Sequence, residues 1–148
     1  MAEYWSNNDR GYRIKLTIDE VGTSVETNSS SVRIRLSLFN TNRTFSRRQC
    51  KWYVDAFGQY IGDVSYFEVL RQNSELQIVD KTITVEHTNG KIVFGAKAYF
   101  YGYGNADSPY DLNLGPYAIT LSQLANVSLL TMPSNIVLGD GINFAITK

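Results

Sequence analysis

The sequence predicts an all-β protein, an antiparallel β-sandwich of the immunoglobulin-like type. Three observations predict it. Apolar residues recur at every second position in run after run, the pattern of a strand with one face in a core. Turn-rich connectors separate the runs at spacings typical of antiparallel all-β domains. Finally, Trp52 sits mid-run on the apolar face of the third run, where sandwiches of this type often bury a tryptophan.

The elements follow in order. Tyr12, Ile14, Leu16 and Ile18 alternate with Arg13, Lys15, Thr17 and Asp19. Val32, Ile34, Leu36 and Leu38 alternate with Arg33, Arg35 and Ser37. Cys50, Trp52, Val54 and Ala56 alternate with Lys51, Tyr53 and Asp55. Ile83 and Val85 follow, then Ile92, Phe94, Ala96, Ala98 and Phe100, and last Tyr117, Ile119 and Leu121. This gives six or seven strands. The connectors are expected over Gly22 to Ser31, Asn40 to Ser46, Phe57 to Asp63 and Gly102 to Gly115. Glu68 to Leu76 alone has helical composition, and it is too short to stand as a helix.

Asn89-Gly90 tolerates positive φ and marks a strand reversal. A flat hairpin would set Thr88 against Lys91, His87 against Ile92, Val85 against Phe94 and Ile83 against Ala96. A corner that carries the chain from one sheet to the other would turn the same residues inward. Alternation alone leaves both arrangements open.

The sandwich is expected to span residues 1–130. Beyond the break at Met132-Pro133, residues 131–148 read as a linker followed by the start of a further β unit, or as a tail docked on the sandwich. The first reading makes the chain the N-terminal piece of a longer protein.

Composition narrows the function. With 148 residues, 43% hydrophobic and 19% charged, the chain can build a sizeable core and has no disordered signature. Formal net charge is zero, which argues against a nucleic-acid partner. Arg43, Arg47, Arg48 and Lys51 form the one basic cluster and read as a solvated loop and strand edge. No apolar run is long enough to cross a bilayer, and MAEYWSNNDRGY lacks a signal-peptide pattern. These features suggest a product made and kept in a cytosol, or released by lysis. The lone Cys50 precludes an internal disulfide and reads as a core residue.

Catalytic patterns are lacking. The single histidine, His87, ends an inward-facing strand and reads as a core-edge residue with a backbone hydrogen bond. One histidine and one cysteine make no zinc spacing. Gly102-Tyr103-Gly104 precedes no helical pattern, so it makes no phosphate loop. No catalytic, cofactor or metal residue is therefore expected. Asn105, Asp107, Asp111 and Asn113 could offer oxygen ligands to calcium, but without the spacing of a known loop they read as a solvated turn.

Aromatic residues make up 13% of the chain. Tyr99, Tyr101 and Tyr103 fall on the outward face of one strand, with Tyr110 in the following loop and Tyr53 on the outward face of a neighbouring strand. With Asn105 and Asp107 beside them, they form a candidate surface for a glycan or a protein partner. Cross-strand pairing of tyrosine explains the same pattern without any partner.

The opening MAEYWSNNDRGYRIKLTIDEV resembles the start of minor structural proteins of streptococcal and related siphophages. NSSSVRIRLSLFN, from Asn28 to Asn40, resembles that family's second strand. TITVEHTNGKIVFGAKAYF, from Thr82 to Phe100, resembles its histidine-to-glycine turn and the strand after it. LLTMPSNIVLGDGINFAITK resembles the junction where a next β domain begins. The resemblance implies a component of the virion, in the distal tail or baseplate, that is associated with host attachment. Its implied partners are other phage tail proteins, a second copy of the chain, or host cell-wall polysaccharide. It implies no catalytic residues. The rivals are a glycan-degrading tail enzyme and a prophage-encoded immunoglobulin-like surface domain.

Overall fold

The alternating runs form strands whose apolar halves meet in one core. A computed structural model describes residues 1–103 and 107–124. The expected boundary at 130 and the unit over 131–148 lie outside the described residues. The strands are β1 (Ala2–Trp5), β2 (Tyr12–Ser24), β3 (Ser29–Asn40), β4 (Phe45–Ala56), β5 (Gln59–Val69), β6 (Glu75–Glu86), β7 (Val93–Tyr101) and β8 (Leu112–Thr120). They form two antiparallel four-stranded sheets, ordered β1-β2-β3-β6 and β5-β4-β7-β8.

The order carries the immunoglobulin nucleus. The chain passes from β3 in the first sheet to β4 in the second, and again from β6 to β7. β3 lies beside β6, and β4 beside β7. In immunoglobulin lettering these are strands B, E, C and F, and the buried tryptophan of strand C is Trp52 on β4.

Both sheets give their inward positions to the core. Ile14, Leu16, Ile34, Leu36, Val54 and Phe100 are fully buried, and Trp52 is 8% exposed. The Trp52 indole N–H donates to the Ser65 hydroxyl at 3.3 Å, so its polar edge stays paired. Cys50 lies in the same core, and burial pushes its thiol up to about 11, which keeps it protonated and inert at neutral pH.

Asn89-Gly90 is the sheet-crossing corner. The flat hairpin does not form: β6 pairs with β3, whereas β7 pairs with β4 and β8. A single 3-10 turn, Thr88–Gly90, makes the crossing, with Asn89 at φ 56° and Gly90 at φ 76°. This conformation suits glycine and asparagine, which is why the dipeptide stands there. The inward assignments survive, because Ile83, Val85, Phe94 and Ala96 are all buried.

Other expectations need correction. Phe57 to Asp63 is no connector: Phe57-Gly58 is a tight turn, and β5 begins at Gln59. Likewise β8 begins at Leu112, inside the stretch expected to be a loop. β2 runs on to Ser24 and β3 starts at Ser29, so that connector is shorter than expected. Glu68 to Leu76, too short to stand as a helix, closes β5 and opens β6, in line with that reading. Tyr117 keeps the inward phase of Ile119 and Leu121, opposite buried Ala96 and past the register shift at Gly115-Pro116, but it stands at the open side of the sandwich and is 38% exposed. Its ring stacks on Tyr4 at 4.5 Å and closes the β1–β8 side of the sandwich. Of the basic cluster, Arg43 lies in the β3–β4 loop as expected, whereas Arg47, Arg48 and Lys51 sit on β4, an interior strand and not an edge. Its members part company: Arg43 reaches Asp107 at 3.4 Å, and Arg47 lies over Tyr66.

The edge strand β5 is blunted from within. Asp63 accepts the Val64 backbone N–H at 2.7 Å, which fills a donor that would otherwise invite another strand.

A polar cluster locks the corner. His87 is fully buried, and its ring Nε2 lies 2.8 Å from the Ser30 hydroxyl. That hydroxyl donates to Glu20, which also accepts the backbone N–H and hydroxyl of Ser122. Since the serine proton goes to the carboxylate, Nε2 carries the histidine proton, and Nδ1 has no partner among the described residues. The backbone hydrogen bond expected of this histidine is made by its main chain, which donates to the Asn28 carbonyl at 2.9 Å. Burial raises the Glu20 pKa, but the hydrogen bonds from Ser30 and Ser122 and the nearby His87 pull it down further, so the net shift is below the usual 4.5.

Two outcomes are expected. Trp52→Ala removes the largest inward side chain of strand C and costs about 3–5 kcal/mol. Urea unfolding measures this, and a midpoint equal to that of the parent would rule out the core assignment. For Glu20, a carboxylate with a depressed folded pKa stabilises above its unfolded value, and that contribution is lost as pH falls through the folded one. Glu20→Gln therefore melts below the parent at pH 7, and the gap narrows as pH drops below about 4. Thermal melts across that range check it.

Candidate functional site

The register that buries the core also builds the outward face of the second sheet. Trp52 pairs with Phe100 on β4 and β7, so Tyr53 pairs with Tyr99 and Lys51 with Tyr101. Successive side chains of a strand alternate between faces, so the tyrosines must point to solvent when the tryptophan points in.

The rings form a continuous row. Tyr60 on β5 stacks on Tyr53 at 5.3 Å, Tyr53 on Tyr99 at 5.4 Å, and Tyr99 on Tyr101 at 6.3 Å. Tyr101 then meets Tyr103 at 4.4 Å and Tyr110 at 6.3 Å. Tyr60 was not expected in this surface. It falls within the stretch taken for a connector, and its signal is the glycine two residues on. A Cβ at Gly62 would lie 2.7 Å from the Tyr53 Cβ and 2.9 Å from the Tyr60 ring, so the space that glycine leaves lets the two rings meet.

The expected residues are thus largely brought together. Tyr53, Tyr99, Tyr101, Tyr103 and Tyr110 share one surface. Asp107 instead pairs with Arg43 of the β3–β4 loop, and among the described residues no contact joins it to the row. Asn105 lies outside the described residues. Asp111 accepts the Tyr99 hydroxyl at 2.8 Å. With Asp107 on Arg43 and Asp111 on Tyr99, the two carboxylates of the suggested calcium loop hold separate partners. Among the described residues, no cluster of histidine, cysteine or carboxylate could hold a metal ion.

Ring orientation limits what this surface can do. Neighbouring rings in the Tyr60–Tyr53–Tyr99 stretch lie within 27–29° of parallel, so the interior rings turn their faces to one another. Their edges are left for other contacts, and the Tyr99 hydroxyl is already held by Asp111. Tyr110 has Arg10 over its ring at 4.6 Å and Tyr101 beside it. A sugar needs an open ring face, and Tyr60, 63% exposed at the end of the row, offers the most. A protein surface can use the edges all along the row.

Among the described residues the Glu20–Ser30–His87 cluster brings a serine, a histidine and a carboxylate together, but not in the order of a triad. In a triad the imidazole stands between serine and carboxylate; here the serine stands between the other two, and both Ser30 and His87 are buried. The cluster fixes a corner and does not activate a serine.

The family described as "Siphovirus protein of unknown function (DUF859)" matches residues 1–148. The chain belongs to this family. It is a phage protein, as the opening residues led one to expect. No curated protein matches the chain. Within this siphovirus protein the run Trp5–Tyr12, which carries much of the resemblance, lies at one end of the tyrosine row. Asn7, Asp9 and Arg10 in that run all contact the loop that bears Tyr110.

The row has a measurable signature. Burial, followed by the hydrogen bond to Asp111 and its charge, holds the Tyr99 pKa well above the usual 10. Asp111→Ala removes the last two influences. In an alkaline absorbance titration this variant ionises one additional tyrosine earlier than the parent. Superimposable curves would show that Asp111 does not govern Tyr99.

Proposed function

We propose that this siphovirus protein is a structural, non-catalytic module of the virion, placed in the tail tip or baseplate and used in host attachment. The outward face of the second sheet is its contact surface, and its partner is another tail protein. One observation carries the reading: an unbroken row of stacked tyrosines lies across that face, partly exposed and uncovered by any other described part of the chain. Family membership and the resemblance to minor structural proteins support the virion setting. Zero net charge accords with a partner other than nucleic acid. Among the described residues, no helix is long and apolar enough to cross a membrane.

Tyrosine suits such a face. It brings a large rigid area with little rotamer entropy to lose, and a hydroxyl that can pair across an interface. The cross-strand stacks fix the rings before any partner arrives, which lowers the ordering penalty of association. Host-wall polysaccharide is the competing ligand, and it would dock at the open face of Tyr60.

The double variant Tyr99→Ala/Tyr101→Ala separates these possibilities. Each stacked pair contributes roughly 0.5–1.5 kcal/mol, so the variant stays folded with a lowered melting point. The expected result is failure to enter assembled tails with wall binding unchanged from the parent. Normal assembly with lost wall binding would transfer the face to a glycan, and no change in either would sink the proposal. A parent protein that is oligomeric by itself, with the variant monomeric, would make a second copy the partner. Host cell walls incubated with the protein should release no sugar; release would favour the enzyme alternative.

A further inference from the structure

The turn Ser6–Gly11 between β1 and β2 is rigid in its own right. The Ser6 backbone N–H donates to the Ile14 carbonyl, and its hydroxyl accepts the Ile14 N–H at 2.9 Å. Asp9 and Tyr12 exchange backbone hydrogen bonds at 3.0 and 2.9 Å, and the Asn8 side chain accepts the Gly11 N–H. From this base the side chains of Asn7 and Asp9 reach about a hundred residues along the chain, to the segment 108–113.

Their partners there are all main-chain atoms. The Asn7 amide donates to the Asp111 carbonyl at 2.9 Å and accepts the Asn113 N–H at 2.8 Å. Asn7 thus imitates a neighbouring strand. One Asp9 carboxylate oxygen accepts the N–H groups of both Tyr110, at 2.7 Å, and Asp111, at 3.1 Å. The Arg10 guanidinium donates to the Ser108 carbonyl at 3.4 Å. Below the segment, Ser108, Pro109 and Leu112 are buried, while the side chains of Tyr110, Asp111 and Asn113 face solvent beside Tyr101 and Tyr99.

We infer that Asn7 and Asp9 are positioning residues for the tyrosine surface: they clamp the path of 108–113 through its backbone and so hold Tyr110 in line with the row, whatever side chains stand at 110 and 113. The segment then sets partner specificity without a penalty to the fold. This use of the clamp rests on the interface reading given above; the clamp itself does not. A carboxylate that accepts two amide N–H groups leaves both without a protein partner when it is removed, and loosening confined to that segment follows.

Amide hydrogen exchange on the full chain tests it. In Asp9→Ala, exchange at Tyr110 and Asp111 should accelerate by about tenfold or more, with the amides of Ile34 and Val54 unchanged. The milder Asn7→Asp keeps the acceptor for Asn113 but loses the donor to Asp111, and should loosen the segment by a smaller factor; it serves if Asp9→Ala does not fold. Tyr110→Ser/Asn113→Ser, with Asp111 kept, should leave protection within about threefold of the parent. Unchanged exchange in both clamp variants overturns the inference, and so does lost protection in the side-chain variant. Entry into tails distinguishes the two readings. If Asp9→Ala assembles normally while Tyr99→Ala/Tyr101→Ala does not, the positioning role fails and the interface stands. If neither variant alters assembly but the amides behave as expected, the interface fails and the clamp stands.

Discussion

The register of β4 against β7 is the constraint on which the rest of this molecule depends. Trp52 opposite Phe100 and Tyr53 opposite Tyr99 are the same pairing seen from the two sides of one sheet. A slip of one residue would put tyrosine hydroxyls in the core and a tryptophan in water. Core and surface are therefore specified together. The energy that fixes the surface comes from the interior, because a buried tryptophan or phenylalanine contributes roughly 2–3 kcal/mol and a stacked tyrosine pair much less.

Other parts of the fold protect this register. The Asn89-Gly90 corner sends β7 to the second sheet in the right phase, and the His87–Ser30–Glu20–Ser122 cluster ties that corner to β2 and to the chain after β8. At the opposite end, Asn7 and Asp9 join the first turn to the segment that leads into β8 and to the start of β8 itself. The two polar sets act where alternating apolar residues cannot, at the ends of the strands, where direction has to be fixed by hydrogen bonds.

What could be read from the sequence follows from the same physics. β2, β3, β4 and β7 are legible because each has one face wholly in the core, which forces strict alternation. β5 is not legible. It is an edge strand with Gly62 and Asp63 in its middle and solvent around most of its side chains, so nothing imposes a period of two. β1 is too short to show a pattern. Tyr117 is legible as an inward position, but its partial exposure is not, because that depends on its standing at the open β1–β8 side of the sandwich against Tyr4. The corner at Asn89-Gly90 is ambiguous for a different reason: both routes bury the same residues, and only long-range pairing decides between them. At the candidate site, Tyr53, Tyr99 and Tyr101 are visible as outward positions of legible strands. Tyr60 is hidden with its strand. Asn7 and Asp9 are hidden because their partners are backbone atoms about a hundred residues away, which no local pattern encodes.

The central claim is that this outward face meets a partner in the virion. Hydroxyl-radical footprinting of the free protein and of intact phage particles tests it most directly. The account predicts that Tyr53, Tyr60, Tyr99 and Tyr101 are modified in the free protein and strongly protected in the particle, while Trp5 and Phe39 on the outward face of the first sheet change little. Equal modification of the four tyrosines in both states would contradict it.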